Sequence, residues 1–466
     1  MGNTLGIVGG GAAGMMAAVT AARQGVKVTL LEGNDRLGRK LLSTGNGKCN
    51  LGNERLGLEE YYTDEPELLK RCLERFGTAD TIAFFKSVGL MVKSKNGYLY
   101  PAGEQAAIVL DALRCEVREL GVNVVTDCKI TAIKREHGRE QIHVRGSGRD
   151  YWFDCVILAC GGQAAPKTGS DGSGYRLAEQ LGHSLKPVLP ALVQLKCRED
   201  YFKAVAGVRA EAELSVYWKG ECIVRERGEL QLTEYGISGI PVFQLSRVVN
   251  YLLAGEYRCQ YKGKAEKGRN VLPGKADVER NALPGKAGKG RNVLPGNADV
   301  DRNALTGEVV VEVDFLPDVT LEDLERLEAE RALLFGRKTV EEFFTGMLHK
   351  KLMLLFIKLA GLKSVDSAAA ADKQKLHQVY KLCKQWQVHV TGSNSFEHAQ
   401  VCAGGVSMNE ITNDMESKKA PGVYFAGELL DVDGKCGGYN LQWAWCSGYL
   451  AGSAAASALG LQKEEG

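Results

Sequence analysis

The first strand-like stretch of the chain, residues 5–14 (LGIVGGGAAG), constrains the fold more than any other part of the sequence. Its apolar start predicts a buried strand, and that strand breaks at once into a glycine-rich turn. Glycines at three fixed positions permit a tight turn, close approach of a pyrophosphate to the backbone, and close packing of the next helix on the strand. The residues predicted to contact a nucleotide here are Gly9, Gly11, Ala12, Ala13 and Gly14.

An acidic residue completes the pattern. Residues 15–24 predict a helix, and residues 26–31 predict a second strand that Glu32 closes. This order is typical of a dinucleotide-binding unit, in which the helix N-terminus faces the phosphates and the acid accepts hydrogen bonds from the adenosine ribose. A glycine-rich turn in an ordinary α/β domain would leave Glu32 without a role. We therefore predict a nucleotide site at this turn.

The composition excludes several classes of protein. The chain has 466 residues, of which 44% are hydrophobic, and this is enough for two or three domains with proper cores. The formal net charge of +2 argues against a broad nucleic-acid-binding surface. No stretch is apolar for long enough to span a membrane, and no leader precedes the first strand, so we expect a cytoplasmic protein. The 13 cysteines and 7 histidines are scattered, which predicts neither a metal site nor a disulfide framework.

A second glycine-rich loop follows at residues 33–50. Its basic side chains can reach phosphates, its hydroxyl groups can donate hydrogen bonds, and its glycines let backbone N–H groups face a ligand. Within it, residues 38–50 (GRKLLSTGNGKCN) resemble the second signature of a flavoprotein family that includes aminoacetone oxidase-like enzymes and 3-dehydro-bile acid reductases. The resemblance implies that this segment lies against the pyrophosphate and isoalloxazine of FAD. Its predicted contacts are Arg39, Lys40, Ser43, Gly45, Gly47 and Asn50.

The most specific pattern is residues 427–442 (GELLDVDGKCGGYNLQ), the C-terminal signature, which is similar to the same segment of that family. The resemblance implies that Asp431 contacts the ribityl and phosphate region of FAD, and that a helix starting near Gly438 faces flavin N1 and C2=O. The positive end of that helix would stabilise the charge of a reduced flavin. The predicted contacts of this segment are Gly427, Glu428, Asp431, Gly438, Asn440 and Leu441. Elsewhere the resemblance places Ile130 near the adenine and Gly161 and Gly162 at the cofactor. Residues 122–127 and 130–133 predict a pair of strands.

The middle of the chain has a different pattern. Short alternating strands over residues 205–260 predict an antiparallel β domain. Residues 320–384 predict helices, at residues 321–333, 340–362 and 373–383. An eleven-residue repeat, rich in Pro and Gly and poor in large apolar residues, predicts a low-complexity insertion at residues 269–308. The expected fold is α/β: a discontinuous Rossmann-like FAD-binding domain (1–188 and 385–466), an inserted β domain (189–319) and a small helical subdomain (320–384).

We expect a FAD-dependent oxidoreductase that acts on a small-molecule substrate, with no nucleic acid or membrane partner. The favoured activity is reduction of a C=C bond in a steroid-like or other small organic molecule, with NADH or NADPH as transient electron donor. Two alternatives stay open: an oxidase of a small amine using O₂, and a non-catalytic or RNA-directed flavoprotein. The residues expected near the ring are the neutral hydrogen-bonding groups Asn50, Tyr439, Asn440 and Gln442, of which Asn50 and Tyr439 are the candidates for catalysis. Cys49 and Cys436 lie in the two cofactor loops, where we expect packing rather than redox chemistry.

Overall fold

The computed structural model describes residues 3–135, 141–257 and 308–461. Two compact units are present: one is Met1–Lys196, Ser238–Glu256 and Gly392–Gly466, and the other is Cys197–Ile237 and Tyr257–Thr391. Most of the eleven-residue repeat lies outside the described residues. Within the described residues, no helix combines the length and apolar character needed to cross a membrane.

The strands, in chain order, are β1 Thr4–Val8, β2 Lys27–Leu31, β3 Gly52–Asn53, β4 Tyr61–Tyr62, β5 Val92–Lys95, β6 Tyr98–Pro101, β7 Asn123–Val125, β8 Ile130–Arg135, β9 Ile142–Gly146, β10 Arg149–Phe153, β11 Cys155–Leu158, β12 Leu185–Ala191, β13 Leu195–Cys197, β14 Arg209–Trp218, β15 Glu221–Thr233, β16 Gly236–Gly239, β17 Val309–Asp314, β18 Trp386–Ser393, β19 Val401–Val406, β20 Val423–Phe425 and β21 Asp433–Gly434. The helices are α1 Ala12–Arg23, α2 Pro66–Arg75, α3 Thr78–Ser87, α4 Ala106–Glu119, α5 Ser173–Gln180, α6 Phe202–Val205, α7 Ile240–Leu253, α8 Leu321–Phe335, α9 Val340–Phe344, α10 Lys350–Leu359, α11 Lys373–Lys384 and α12 Tyr439–Leu461.

A five-stranded parallel sheet in the order β20-β11-β1-β2-β7 forms the centre of the first unit. Its inner strands are buried on both faces, as expected of a parallel sheet covered by helices. Helix α12 packs closely on α1, because glycines replace larger side chains where the two helices touch. A Cβ atom at Gly452, for example, would lie 2.6 Å from the carbonyl oxygen of Ala17. The sheet and its helices confirm the expected Rossmann-like fold.

One local expectation is wrong. The sequence suggested that the strands around residues 124 and 131 pair with each other. In the structure β7 extends the parallel sheet beside β2, and β8 belongs to a separate antiparallel sheet in the order β10-β9-β8. Asp127, between them, has a left-handed backbone with φ of 51°, and this turn sends the chain away from the parallel sheet.

A closed barrel in the order β13-β16-β15-β14-β17-β18 accounts for the predicted antiparallel β domain. Helices α8 to α11 account for the predicted helical segment, and Thr320 begins α8 with a capping box to Asp323. The pattern at residues 340–362 suggested one helix. The structure has two, because Gly346 adopts a φ of 87° between α9 and α10.

Helix α7 belongs to the first unit, although the sequence placed its residues in the inserted β domain. Side chains along α7 explain this position. Ser246 Oγ accepts a hydrogen bond from Val193 N at 3.2 Å, and Asn250 Nδ2 donates to Pro190 O at 2.7 Å. Buried polar groups of the helix are therefore satisfied by the segment that contains β12.

Candidate cofactor site

A cavity lies at the carboxyl ends of four strands of the parallel sheet. Its wall includes a residue at or just after the end of each of these strands: Val8 for β1, Leu31 for β2, Ala159 for β11 and Ala426 for β20. Ligands of open α/β sheets bind at this edge. The predicted cofactor residues that line the cavity are Gly9, Gly11, Ala12, Ala13, Glu32, Arg39, Lys40, Ile130, Gly161, Gly427, Glu428, Asn440 and Leu441.

The glycine turn contributes three glycines with different physical roles. Gly9 has a φ of 104°, and a Cβ there would collide with the backbone of Ala159. A Cβ at Gly14 would collide with the carbonyl oxygen of Gly9, so Gly14 lets α1 pack against the turn. At Gly11 a Cβ would meet no protein atom within 4 Å. The space beside Gly11 is therefore open, and it belongs to the cavity at the start of α1.

Glu32 is 8% exposed and is held by protein donors. Its Oε2 accepts from Gly10 N at 2.7 Å, and its Oε1 accepts from Asn34 N at 2.8 Å and from Asn34 Nδ2 at 2.6 Å. These bonds fix the carboxylate on the cavity wall. Oε1 already accepts two hydrogen bonds, but Oε2 accepts only one of these three, so Oε2 retains acceptor capacity for a ribose hydroxyl.

Two basic side chains, Arg39 and Lys40, also line the cavity. Lys40 Nζ pairs with Glu428 Oε2 at 2.6 Å, and the other oxygen of Glu428 accepts from Cys402 N at 2.7 Å. Arg39 Nη1 donates to Asn34 Oδ1 at 3.0 Å. These contacts tie the loop after β2 to the C-terminal signature.

A further part of the wall was missed by the sequence analysis. Lys129 pairs with Asp171 at 2.5 Å, and Asp171 Oδ1 accepts from Ser173 N at 3.0 Å. Burial opposes ionisation of Asp171, but the hydrogen bonds from Lys129 and Ser173 lower its pKa to about 2. The signal available in the sequence was the polar, glycine-containing run from Thr168 to the start of α5. The cavity residues not predicted as cofactor contacts include Gly33, Asn34, Gly38, Thr44, Cys128, Lys129, Cys160, Pro166, Thr168, Gly169, Ser170, Asp171, Ser173, Gln400, Val401, Val432 and Trp443.

Several predicted contacts lie outside the cavity lining. These residues are Gly14, Ser43, Gly45, Gly47, Asn50, Gly162, Asp431 and Gly438. Ser43 Oγ donates to the nearby Lys40 O at 2.8 Å, so this hydroxyl forms a hydrogen bond within its own loop. Gly438 is required by packing, because a Cβ there would lie 2.6 Å from Gly52 O and 2.7 Å from Asn50 Oδ1. Gly162 is also required by packing, because a Cβ there would lie too close to side-chain atoms of Tyr175, Cys402 and Glu428.

The two candidates for catalysis, Asn50 and Tyr439, are also absent from the cavity lining. Tyr439 is 6% exposed, and its carbonyl oxygen accepts from Tyr61 Oη at 3.0 Å. Gln442, which the sequence placed near the ring, is fully buried, and its Oε1 accepts from Thr81 Oγ1 at 3.0 Å. These contacts give Gln442 a packing role between α12 and α3.

Asp431 occupies a charged, buried environment. It is 4% exposed, and burial raises the pKa of its carboxyl to about 7, against the opposing effect of the nearby Arg247. Cys49 is fully buried, and burial raises the pKa of its thiol to about 12. A thiol with this pKa stays protonated at neutral pH and is a poor nucleophile.

One family profile and three known proteins are similar to this chain. The profile of the HI0933-like protein Rossmann domain matches residues 3–454. The 3-dehydro-bile acid delta(4,6)-reductase of Clostridium scindens is 39% identical over 457 residues, which is 97% of this chain and 99% of that protein. The ribosomal RNA dihydrouridine synthase of Haemophilus influenzae is 26% identical over 95% of this chain and 96% of that protein. The solved 3-ketosteroid-delta4-(5alpha)-dehydrogenase of Rhodococcus jostii RHA1, in complex with 4-androstene-3,17-dione, shares 15% identity over 97% of each chain with a TM-score of 0.44.

The match extends over almost all of the described residues and includes both the glycine turn and the C-terminal signature. The expected family and the expected class of enzyme, a FAD-dependent oxidoreductase, are confirmed. The chain therefore belongs to the HI0933-like family of FAD-binding Rossmann proteins.

Proposed function

We propose that this oxidoreductase reduces a C=C bond conjugated to a carbonyl group in a steroid-like or other small organic molecule, with NADH or NADPH as the electron donor. The observation that carries the proposal is the 39% identity, over 97% of the chain, to a 3-dehydro-bile acid delta(4,6)-reductase. That name describes reduction of the delta-4 and delta-6 double bonds of a 3-dehydro-bile acid.

Two independent observations support FAD as the ligand of this cavity. The open space beside Gly11, at the N-terminus of α1, is what a pyrophosphate needs, because backbone N–H groups and the positive helix end meet there. Glu32 lies in the same lining, at the end of β2, with acceptor capacity left for a ribose. The groups we assign to the cofactor are therefore the glycine turn, Glu32, Lys40 and the C-terminal signature.

Bound FAD would supply the hydride chemistry, and the protein would supply binding, orientation and charge. Lys40 places positive charge on the cavity wall. Trp443 Nε1 donates to Gly427 O at 3.1 Å and Ser447 Oγ accepts from Gly427 N at 2.8 Å, so both backbone groups of Gly427 are fixed by α12. These contacts keep the wall rigid where it would touch the cofactor.

A second candidate substrate is a uracil base within RNA. Two relatives, from Haemophilus influenzae and Escherichia coli, are named ribosomal RNA dihydrouridine synthases and are each 26% identical over 95% of this chain. Conversion of uridine to dihydrouridine also saturates a C=C bond conjugated to a carbonyl, so the reaction class would be the same. The higher identity to the bile acid reductase and the net charge of +2 favour the small molecule.

An anaerobic titration tests the proposal. Oxidised holoenzyme is mixed with NADH, NADPH or a simple amine, and the flavin absorbance is followed. Bleaching by a nicotinamide, followed by reoxidation with a 3-oxo-Δ4 steroid, would support the reductase. The same reduced enzyme is then offered unmodified ribosomal RNA, and reoxidation by RNA alone would favour the second candidate. Bleaching by amines but not by nicotinamides, with peroxide release in air, would overturn both and establish an amine oxidase.

A further inference from the structure

A buried ion pair joins α7 to the C-terminal signature. Arg247 Nε lies 2.9 Å from both carboxylate oxygens of Asp433, and both side chains are only 3% exposed. Asp433 pairs with Tyr62 in the short β21–β4 ladder. The next residue toward the N-terminus, Val432, lines the cofactor cavity. One short segment therefore contacts both the cavity and the buried arginine.

The guanidinium of Arg247 is fixed by two aromatic rings as well. Its central carbon lies 4.3 Å from the ring centre of Tyr62 and 4.8 Å from that of Tyr251. Cation–π contacts of this kind favour a flat, delocalised cation. A lysine at position 247 would keep the charge but not the geometry of these contacts.

A second side chain of α7 holds the same segment. Gln244 Oε1 accepts a hydrogen bond from Cys436 N at 3.1 Å. Gln244 and Arg247 are three positions apart on a helix, so they lie on one face. Gly434 lies between Asp433 and Cys436, the two residues that α7 contacts. Its N donates to Asn440 Oδ1 at 2.8 Å, and its O accepts from Asn440 Nδ2 at 2.8 Å. Asn440 is in the first turn of α12, so the contacts run continuously from α7 through the loop to the N-terminus of α12.

Among Asp431 and the charged groups around it, the acidic ones outnumber the basic ones. The acidic groups are Asp64, Asp431 and Asp433, and the cations are Lys186 and Arg247. Lys186 pairs with Asp64 at 2.5 Å, whereas Arg247 pairs with Asp433 and also acts on the buried carboxyl of Asp431. Arg247 lowers the pKa of the Asp431 carboxyl against the effect of burial, so removal of Arg247 would favour protonation of Asp431.

We propose that Arg247 and Gln244 are positioning residues that set the place of the α12 N-terminus, and the charge of the loop before it, relative to the bound flavin. They would thereby tune both FAD affinity and the flavin reduction potential. This inference rests on the proposed FAD site. It concerns a helix that lies outside the three glycine-rich segments.

The test compares Arg247→Met, Arg247→Lys and Gln244→Ala with the wild type and with a control, Arg326→Met, whose side chain is 70% exposed. FAD dissociation constants and flavin midpoint potentials are measured from pH 6 to 9, and folding is monitored by circular dichroism. We expect at least a tenfold loss of FAD affinity and a shifted potential for Arg247→Met, partial recovery in Arg247→Lys, and a smaller effect in the same direction for Gln244→Ala. The control is expected to match the wild type.

Folded variants at positions 244 and 247 that keep the wild-type affinity and potential would overturn the inference. If Arg247→Met does not fold, Arg247→Lys and Gln244→Ala decide the question, because both retain a polar or small side chain in the cluster. A wild-type protein that does not bind FAD would instead overturn the proposed cofactor. The two failures are therefore distinguishable.

Discussion

Lys40 and Glu428 lie 388 positions apart in the chain, and their side chains meet at 2.6 Å on the wall of the cavity. The remaining carboxylate oxygen of Glu428 is held by Cys402 N at 2.7 Å. The ion pair therefore links the loop after β2 with the C-terminal signature. It also places a cation on the cavity wall that we assign to the cofactor.

Replacing Lys40 with Met should weaken FAD binding by tenfold or more, which corresponds to about 1.4 kcal/mol or more. The variant loses a cation and leaves the carboxylate of Glu428 facing an anionic cofactor. Equilibrium dialysis at two salt concentrations measures the change. Lys167→Met is the matched control, since Lys167 is 85% exposed and should have no effect. Equal affinities for the Lys40 variant and the control would remove Lys40 from the cofactor site.

Gly11→Val should fold normally and fail to retain FAD. Gly11 has φ of −79° and ψ of −165°, which valine adopts readily, and no protein atom lies within 4 Å of the position that a Cβ would take. The added side chain would fill the space predicted for the pyrophosphate. Purification followed by absorbance at the flavin band measures retention, and melting of the apoprotein measures folding. Gly392→Val, in another open position, is the control. Retention of FAD by the Gly11 variant would contradict the assignment.

The double variant Cys49→Ser, Cys436→Ser should keep its turnover per bound FAD within about tenfold of wild type, a barrier change of about 1.4 kcal/mol. Cys49 is fully buried and its pKa is raised to about 12, so it is a protonated thiol inside the core. Cys436 contributes its backbone N–H to Gln244. A loss above a hundredfold with FAD still bound would show that the two cysteines act as a redox pair.

Asp431 should contribute a loss of stability as the pH rises from about 4 to about 7. Its pKa in the folded protein, about 7, lies above the ordinary value of 3.8 in the unfolded chain. Between these values the folded state binds the additional proton, so the free energy of unfolding falls with pH, by at most about 1.4 kcal/mol per pH unit. Asp431→Asn should flatten this dependence in urea titrations of the apoprotein at pH 5, 6 and 7. An unchanged slope would contradict a raised pKa.

The sequence predicted the parts of the site that depend on local rules. Gly9 and Glu32 have fixed roles in a strand–turn–helix–strand unit, and such a unit can be recognised without knowledge of the rest of the fold. Lys129 and Asp171 come from different segments, so only the folded chain shows that they pair beside the cavity. The burial of Gln442 depends on the partner that α12 finds in Thr81. A polar residue next to a glycine loop gives the same sequence signal whether it faces a ligand or another helix.

The place of α7 in the first unit also depends on tertiary contacts, which local sequence does not show. An apolar helical pattern at residues 240–253 indicates a buried face but not the surface that covers it. Arg247 within that pattern would ordinarily indicate exposure, since arginine is seldom fully buried without a partner. Its partner, Asp433, is 186 positions away. Charge pairs at such separations are fixed by the tertiary fold alone.

The cavity takes its walls from residues 8–44, 128–177 and 400–444, so the first and last parts of the wall are synthesised far apart in time. The glycine turn emerges from the ribosome early. The cavity is complete only after α12 has been synthesised, because α12 packs on α1 and fixes Gly427. FAD can therefore complete its contacts only after nearly the whole chain has been made. A ribosome-bound chain that stops before residue 427 should be unable to hold the cofactor, which makes FAD capture a late event in the biogenesis of this enzyme.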